Sequence, residues 1–377
     1  MSRLKDFIYR IFYFSQIHHL LRFFLRNKVI ILCYHGFTDR IHEGIVNYDG
    51  KHLHAQKFER QLRYLKKYYT LLSFEDWLNL REKKEPIPPK ALILTFDDGY
   101  ESNFQIAFEL LKRYEVPATI FLATDFLDGA RAQWTDQVEW AAEKAPEGRY
   151  RLTEDEKVPA LTINSSPNSR LQTVAAIKTF LKNMPQRQRD ETLNFLLREL
   201  KLMPGTSEIP AVYRPLTWNQ VREMRRSGLV SFGSHTRSHV ILSRCGGELS
   251  TRELSESRAK IEKEIGEACT LFCYPNGMPG DFNQATREAV QKAGYRCAAT
   301  CIEGFNDSAG DPYEIKRFGF KESGTDPEFA MTLGGVKLFF SKIKAALKNT
   351  LGTRGGKVTP DPYTAATAAA AGSSASI

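Results

Sequence analysis

The sequence predicts an α/β fold with about seven parallel strands and a helical insertion. Strand-length apolar segments alternate with amphipathic helical segments along the middle of the chain. This pattern is typical of βα units and of a parallel sheet, closed or open. With 377 residues, of which 42% are hydrophobic, the chain is long enough to bury a core of that size. One stretch, at about 126–216, interrupts the alternation and indicates an insertion between two βα units.

Each predicted element follows from its own segment. The predicted strands are VIILCY (29–34), ALILTF (91–96), ATIFLA (118–123), LVSFG (229–233), TLFCY (270–274), YRCAAT (295–300) and YEIKRFGF (313–320). The predicted helices between them span 55–68, 103–114, 217–228, 250–266 and 281–294. Ser250 and Glu253 are predicted to form a capping box, and Gly228, Gly266 and Gly294 stand where helices would end.

The insertion and the C-terminal tail have different compositions. Residues 126–216 contain two amphipathic helical patterns, TVAAIKTFLKNM and DETLNFLLREL, and no convincing strand. An insertion at a βα connection lies over the C-terminal ends of the strands, where it would shape substrate access. The tail 352–377 is rich in Gly, Ala, Ser and Thr and is predicted to be disordered.

The net charge of +9 is concentrated at the two ends of the chain. We predict a basic amphipathic segment at 1–28 and a basic amphipathic helix at 336–351, in which Val336, Phe340 and Ile343 begin an apolar face. Such helices suit an anionic membrane surface. The alternative is that their apolar faces pack on the protein body. A nucleic-acid enzyme would instead carry basic residues around its working site, so no nucleic-acid partner is predicted.

The N-terminal stretch makes a poor signal peptide. Charges interrupt its apolar residues, and it has no small-residue cleavage site. We therefore expect a cytoplasmic protein, either free or peripheral at the inner face of the membrane. Six cysteines are compatible with a reducing compartment. The pairs Cys269/Cys273 and Cys297/Cys301 are expected to be core thiols rather than a zinc site or disulfides.

Two adjacent aspartates, Asp97 and Asp98, follow the predicted strand 91–96. Asp-Asp-Gly is compatible with a simple turn, since Asp and Gly favour tight turns. Alternatively, carboxylates at the C-terminal end of a parallel strand form a reaction site. His235 and His239 are four residues apart, so that on a helical turn both imidazoles would meet one ion. Together with a strand-end carboxylate they make a three-ligand set with an open position, as in catalytic divalent-metal sites.

These segments carry a resemblance to a known family. TFDDG and HTRSH resemble the motifs of the NodB-type polysaccharide deacetylases of carbohydrate esterase family 4. Other segments agree in the family's order: CYHGF (33–37), WNQVREM (218–224), FCYPNG (272–277), AGYRCAAT (293–300) and YEIKRFGF (313–320). The resemblance predicts a NodB-like domain at 29–335, excluding most of the insertion, on a distorted (β/α) barrel.

The resemblance implies a metal site and a general base. Asp98, His235 and His239 would hold a divalent metal, in this family usually Zn²⁺ or a similar ion. The metal would polarise the acyl carbonyl and lower the pKa of a bound water. Asp97 would accept the proton of that water.

The resemblance also implies roles around the substrate. Tyr274, in the third motif, would line the oxyanion site through its backbone N–H, and Asn276 would orient the substrate. FCYPNG lacks the Arg that orients the base in many relatives. Arg317 would reach Asp97 instead, or would form an ordinary ion pair at the surface or the core edge.

The general acid is assigned to a different histidine from the one used by many relatives. Those relatives use a Leu-x-x-His motif, but no histidine follows His239. CYHGF resembles a branch, similar to biofilm-polysaccharide deacetylases, that carries an N-terminal Tyr-His segment. His35 is therefore predicted to be the general acid. The alternative is a structural histidine that hydrogen-bonds the strand end.

These expectations combine into one enzyme: a metal-dependent hydrolase that removes N-acetyl groups from amino sugars of a polysaccharide or its lipid-linked precursor. The alternatives are a deformylase or O-acetyl esterase acting on a glycan or lipid-linked sugar, and an inactive, membrane-associated relative that binds glycans. The presence of Asp97, Asp98, His235 and His239 argues against inactivity, because a pure binding protein has no need for all four.

Overall fold

The computed structural model describes residues 2–129, 132–155, 158, 160–164, 166–202 and 209–338. Most of the predicted helix 336–351 and all of the predicted tail 352–377 lie outside these residues. The strands are β1 (Ile30–Tyr34), β2 (Gly36–Thr38), β3 (His52–His54), β4 (Thr70–Leu71), β5 (Ala91–Phe96), β6 (Ala118–Leu122), β7 (Gly148–Tyr150), β8 (Leu161–Ile163), β9 (Val230–Ser234), β10 (Leu271–Cys273), β11 (Cys297–Ala299) and β12 (Phe318–Gly319).

The helices alternate with these strands. They are α1 (Ser2–Phe14), α2 (Ile17–Phe24), α3 (Ala55–Tyr68), α4 (Phe74–Glu82), α5 (Glu109–Tyr114), α6 (Thr124–Gly129), α7 (Trp134–Lys144), α8 (Pro167–Lys182), α9 (Gln186–Glu199), α10 (Trp218–Arg226), α11 (Gly247–Ile265), α12 (Gln284–Lys292) and α13 (Asp326–Leu333). A π-helical turn, Asn103–Phe108, runs into α5.

The strands confirm the predicted distorted (β/α) barrel. Seven parallel strands form a curled half-barrel in the order β11-β10-β9-β6-β5-β1-β12, and β4 adds to β5. Each of the seven apolar segments predicted as strands forms one of these seven parallel strands. A single parallel bridge between Ala299 and Ile315 links β11 to the segment that leads into β12.

Strand β5 shows how the sheet separates two cores. All six of its residues are buried, as expected for a parallel strand that is covered on both faces. Leu92, Leu94 and Phe96 belong to the core between the sheet and the outer helices, whereas Ala91 and Ile93 belong to the core inside the barrel. Because side chains alternate along a strand, the residue that follows Phe96 is directed toward the inside of the barrel.

The insertion has a core of its own, formed mainly by α7, α8 and α9. The predicted absence of strands between 126 and 216 is wrong, since β7 and β8 pair as an antiparallel hairpin. Each strand has only three residues, which is too short for a two-residue alternation to register in the sequence. The hairpin stands apart from the main sheet and leaves its order unchanged.

The N-terminal helices pack against the last described helix. Tyr9 of α1 is buried against Ala330 and Met331 of α13 and against Val336. Within the described part of the chain, no helix is long and apolar enough to cross a membrane.

Candidate active site

The predicted site residues gather at the C-terminal ends of adjacent parallel strands. His35 follows β1, the two aspartates follow β5, and His235 follows β9. Strands β1, β5, β6 and β9 are neighbours in the sheet, so these positions lie along one edge. Arg317 immediately precedes β12, which pairs with β1. The order of the strands therefore explains why residues that are far apart in the sequence meet.

Asp97 is bound by Arg317 inside the barrel. Arg317 Nη1 donates to Oδ1 and Nη2 donates to Oδ2, both at 2.7 Å, and both side chains are almost completely buried. The guanidinium also donates to Thr95 Oγ1 at 3.0 Å and to the carbonyl of Thr300 at 2.8 Å. Burial alone would raise the pKa of Asp97, but the charge of Arg317 outweighs it and holds this pKa well below its usual range.

Asp98 faces the two histidines. Its Oδ1 lies 3.2 Å from His239 Nε2 and 3.7 Å from His235 Nε2. Asp98 adopts a left-handed conformation (φ +73°), followed by Gly99 at φ +90°. A Cβ at Gly99 would stand 2.8 Å from Leu122 Cδ2, so this tight turn requires glycine. The turn directs the neighbouring carboxylates to different partners, so that Asp-Asp-Gly serves both as a turn and as a site.

The three side chains fit a divalent ion. Their ligand atoms all lie within 4.8 Å of one another, and the buried Oδ1 of Asp98 accepts no hydrogen bond from any residue that the structure describes. A buried carboxylate oxygen is rarely left without a partner, and a cation between it and the imidazoles would supply one. Two imidazole nitrogens and one carboxylate oxygen form a ligand set that suits Zn²⁺ and related ions.

His235 is held in the form that binds metal. Its Nδ1 lies 2.8 Å from the carbonyl of Cys273, which can only accept, so that Nδ1 carries the proton and Nε2 presents its lone pair toward Asp98. Burial lowers the pKa of His235 to about 4, although the charge of Asp97 opposes this. The imidazole is therefore neutral at pH 7, as metal binding requires.

Two other groups have comparable spacing: Cys33 with His35 and Asp97, and Asp97 with His235 and Cys273. Both depend on Asp97, whose carboxylate charge is already compensated by the two-point contact with Arg317. Among the described residues, no Arg or Lys forms an ion pair with Asp98, so the Asp98 group is the better metal site.

The segment 235–239 is a loop, so its predicted helical turn is wrong. Thr236 (φ +64°) and His239 (φ +56°) are both left-handed, and the loop brings the two imidazole centroids to 4.8 Å. Glu253 of α11 holds the loop. Its carboxylate accepts from the backbone N–H groups of Arg237 at 2.9 Å and Ser238 at 2.8 Å, and from Ser238 Oγ at 2.5 Å.

Glu253 therefore has a different role from the predicted one. Helix α11 begins at Gly247 with Gly246 as its N-cap, so the predicted capping box with Ser250 is wrong. The spacing of Ser250 and Glu253 fits a capping box. In the structure, however, the Glu253 carboxylate binds two backbone N–H groups of the loop after β9, which would otherwise be unpaired.

His35 stands beside Asp97. An imidazole nitrogen of His35 lies within 4.8 Å of an Asp97 oxygen, and its carbonyl accepts a hydrogen bond from Asn103 Nδ2 at 2.7 Å. His35 and Arg317 both line a cavity of about 390 Å³, and Lys51 forms another part of its wall. The imidazole is half-buried, so it can be reached from this cavity.

A sequence profile of the polysaccharide deacetylase family matches residues 84–145 and 152–298, which is more than half of the chain. The chain belongs to the polysaccharide deacetylase family. The matched ranges include both aspartates, His235 and His239, as well as Tyr274 and Asn276. His35 and Arg317 lie outside them. The family consists of hydrolases that remove acyl groups, which agrees with a strand-end site of carboxylates and imidazoles.

Individual relatives are distant. The Bacillus subtilis protein YxkH is 23% identical over 294 residues, which cover 77% of this chain and 70% of YxkH. The poly-beta-1,6-N-acetyl-D-glucosamine N-deacetylase of Staphylococcus epidermidis is 32% identical over 73 residues, which cover 19% of this chain and 25% of that protein.

Solved structures share the fold. The Streptococcus pyogenes deacetylase PplD, in complex with acetate, matches with a TM-score of 0.54 at 18% identity, covering 81% of this chain and 98% of PplD. The de-N-acetylase from Aggregatibacter actinomycetemcomitans matches with a TM-score of 0.51 at 17% identity, covering 81% of this chain and 99% of that structure. At these identities the similarity concerns the fold.

The structure contradicts the oxyanion role predicted for Tyr274. Its backbone N–H donates to the carbonyl of Ala299 at 3.0 Å, so the sheet already uses this donor. The ring is buried and stacks on Phe282, with centroids 4.7 Å apart. Asn276 lies in the turn after β10 with φ +59°, and it is half-buried.

Lys51 is a cavity residue that has no motif of its own. Its Nζ forms an ion pair with the fully buried Asp136 of α7 and donates to Tyr100 Oη at 2.8 Å. Tyr100 Oη in turn donates to Asp136 at 2.7 Å. Three separate segments build this cluster, and no spacing within one segment could have indicated it.

Proposed function

We propose that this protein is a metal-dependent N-deacetylase that acts on amino sugars of a polysaccharide or its lipid-linked precursor. One observation carries the proposal: within the described part of the chain, the buried Asp98 Oδ1 accepts no hydrogen bond and faces two imidazole nitrogens, beside a second carboxylate and a cavity-lining histidine. A ligand triad next to a separate base and a separate acid suits hydrolysis of an amide.

The roles of the residues follow from their contacts. When bound to Asp98, His235 and His239, a divalent ion supplies Lewis acidity to the acyl carbonyl and makes water a better nucleophile. Asp97 stays ionised because of Arg317 and so is ready to accept a proton. A carboxylate has about four acceptor positions. Arg317 donates to both oxygens of Asp97 and the Cys33 thiol also donates to Oδ2, which leaves a position on Oδ1 for a water.

His35 would complete the reaction. An amine leaves an amide only after it gains a proton, and histidine is the most frequent donor in such steps. The imidazole is close to Asp97 and lines the cavity, so that a substrate in the cavity would contact His35.

The choice of substrate is supported by relatives. Several curated relatives, among them the Staphylococcus epidermidis enzyme, are named poly-beta-1,6-N-acetyl-D-glucosamine N-deacetylase. An amino-sugar polymer is therefore the first substrate to test. Acetate release should be measured from oligomers of β-1,6- and β-1,4-linked N-acetylglucosamine, with metal content measured on the same preparations.

Two outcomes of this assay would contradict the proposal. Full activity in protein stripped of metal would exclude the metal dependence. Release of formate from N-formyl sugars, or of acetate from O-acetyl sugars, without release from N-acetyl sugars would assign the site to the alternative acyl groups.

We further propose that α1 and α2 lie on an anionic membrane surface. Among the described residues, six of the nine exposed large hydrophobic side chains belong to these two helices: Phe7, Ile11, Phe14, Leu20, Phe23 and Phe24. Residues 7–28 contain no Asp or Glu, and Arg10 and Arg26 are exposed beside these side chains. Exposed aromatic groups together with positive charge suit the interface of an anionic bilayer.

The cavity lies close to these helices. Helix α13, on which α1 packs, contributes Glu328, Phe329 and Thr332 to the cavity wall. A membrane-bound enzyme would therefore hold its cavity near the lipid surface, which supports a lipid-linked substrate. The proposed location is peripheral, at the inner face of the membrane.

Vesicle co-sedimentation tests the membrane proposal. The variant Phe14→Ser/Phe23→Ser/Phe24→Ser should bind phosphatidylglycerol vesicles at least ten-fold more weakly than the wild type, because three large apolar side chains no longer enter the lipid interface. The matched control, Ile41→Ser/Leu249→Ser/Met278→Ser, removes three exposed hydrophobic side chains elsewhere and should bind normally. Equal binding by the two variants would contradict the proposal.

A further inference from the structure

Three cysteines surround the Arg317–Asp97 pair. Arg317 Nη2 donates to Cys273 Sγ at 3.0 Å and to Cys301 Sγ at 3.6 Å. The thiol of Cys33 donates to Asp97 Oδ2 at 3.3 Å. All six cysteines of the chain are free, and only these three contact the pair among the described residues. The contacts of the predicted base therefore include thiols as well as the arginine.

Cys301 is the accessible member of this group. It is half-buried and lines the 390 Å³ cavity together with Cys33, whereas Cys273 is fully buried in β10. The backbone N–H of Cys301 donates to the carbonyl of Gly277 at 2.9 Å, which fixes the position of this residue at the wall. A small polar oxidant that enters the cavity would therefore reach Cys301 first.

The surroundings of Cys301 favour a nucleophilic thiol. The neighbouring Cys33 thiol, together with the charge of Arg317, lowers the pKa of Cys301 to about 7 although burial opposes this. Burial raises the pKa of the half-buried Cys245, which is remote from the pair, to about 11. A thiolate is the form that attacks peroxides, so these two accessible cysteines should differ in reactivity.

We propose that Cys301 and Cys33 form a peroxide-reactive dithiol site beside the general base. The Cys301 thiolate attacks one oxygen of hydrogen peroxide, which gives a sulfenic acid and hydroxide, so that the sulfur is oxidised and the O–O bond is reduced. The Cys33 thiol then displaces the sulfenic hydroxyl. This step forms a Cys33–Cys301 disulfide and releases water.

The disulfide would alter the base. Cys33 would lose the proton that it donates to Asp97 Oδ2, and Arg317 would lose its contact with the Cys301 thiolate. Closing the bond requires the two sulfurs to approach to about 2 Å, which moves the cavity wall beside Asp97. The effect on turnover rests on the proposed function, but the formation of the disulfide does not.

Mass spectrometry tests the site independently of enzyme activity. The full-length protein is treated with a small excess of hydrogen peroxide, free thiols are blocked, and the digest is searched for a peptide that links Cys33 to Cys301. We expect the link in the wild type and in the control variant Cys245→Ser, and its reversal by dithiothreitol. Cys301→Ser should form no link, and Cys33→Ser should stop at a sulfenic acid that dimedone traps.

Enzyme activity is measured in an experiment separate from the mass spectrometry. Peroxide should lower acetate release by about ten-fold or more in the wild type, dithiothreitol should restore it, and Cys301→Ser should resist the treatment. Absence of the Cys33–Cys301 peptide, or equal oxidation of Cys245 and Cys301, would overturn the site. If the link forms but the untreated protein releases no acetate, the dithiol site stands and the proposed function fails.

Discussion

Arg317 and Asp97 form a two-point salt bridge inside the barrel, with both N–O distances at 2.7 Å. The sequence left two possibilities for Arg317, a contact with the base or an ordinary ion pair at the surface or core edge. The structure shows the contact with Asp97. It is not a surface ion pair, since Arg317 and Asp97 are both buried. Arg317 reaches this carboxylate from the segment before β12.

We expect Arg317→Met to destabilise the protein by about 3–5 kcal/mol, because it leaves a buried carboxylate without its counter-charge. Arg317→Lys keeps the charge but loses the two-point geometry, so its effect should be intermediate. Arg296→Met is the control, because Arg296 makes a comparable two-point pair with Glu82 at the surface, where such pairs contribute about 0–1 kcal/mol. Urea unfolding measures the stability of all three variants. Equal losses of stability in Arg317→Met and Arg296→Met would contradict the prediction.

The two aspartates should have separable roles. Asp98→Asn should lose most of the bound metal together with activity, because it weakens a three-ligand set. Asp97→Asn should retain the metal and lose turnover by about 10²–10⁴-fold, the usual contribution of a general base. Metal content by plasma mass spectrometry and acetate release, measured on the same samples, decide this. Interchangeable effects of the two substitutions on metal content would show that the assignment is wrong.

Glu253 should support the metal site without touching the metal. Glu253→Ala removes three hydrogen bonds from the loop that carries His239, and we expect a 10–100-fold loss of metal affinity, as is typical for outer-shell partners. Glu256→Ala is the matched control, since Glu256 lies on the same helix and contacts the side chain of Arg237 at the surface. Competition with a chelator measures the affinities. A loss of equal size in Glu256→Ala would show that the loop is not held in this way.

The strands and their end residues could be predicted because each depends on a local pattern. Apolar segments located β1, β5 and β9, and the rule that parallel strands end at one edge brought His35, Asp97 and His235 together. The contact between Arg317 and Asp97 could be predicted only as one of two alternatives. It depends on the register of β12 against β1, in which Leu32 lies opposite Phe318. No spacing within the sequence encodes that register.

The two wrong predictions at the site, the helical turn at 235–239 and the oxyanion role of Tyr274, also concern features that no local pattern encodes. An H-x-x-x-H spacing fits a helical turn, but it also fits the left-handed loop at Thr236 and His239. The oxyanion role predicted for the backbone N–H of Tyr274 rests on the family resemblance alone. The pairing of β10 with β11, which commits this N–H to Ala299, is a tertiary property.

His52 should make stability depend on pH. It is fully buried, and neither ring nitrogen is hydrogen-bonded to a described residue. Burial, together with the charge of Lys51, lowers the pKa of His52 well below its usual range. The unfolded chain then binds a proton at about pH 6.5 that the folded protein does not bind. Stability from this group is present above pH 6.5 and is lost as the pH falls, by up to about 1.4 kcal/mol per pH unit.

The variant His52→Leu isolates this contribution, because leucine fills a similar volume and does not titrate. Urea unfolding of the metal-free proteins between pH 8 and pH 5 should give a shallower loss of stability for the variant. At pH 8 any difference in the free energy of unfolding between the wild type and His52→Leu reports packing alone. Parallel pH profiles would show that His52 takes no part in the pH dependence.

His35 should act as the general acid, because it is the histidine that lies beside Asp97 and lines the cavity. We expect His35→Ala to retain its metal and its melting temperature while kcat falls by about 10²–10⁴-fold on an N-acetyl sugar. The loss should be smallest on an acetyl ester with a phenolate leaving group, which departs without a proton. His42→Ala is the control, since His42 lies in the following loop, bonded to Thr38 Oγ1 at 2.9 Å. If kcat for His35→Ala equals that of the wild type on the N-acetyl sugar, the acid must be another group. If the loss is equally large on the phenolate ester, His35 serves to position the substrate rather than to donate a proton.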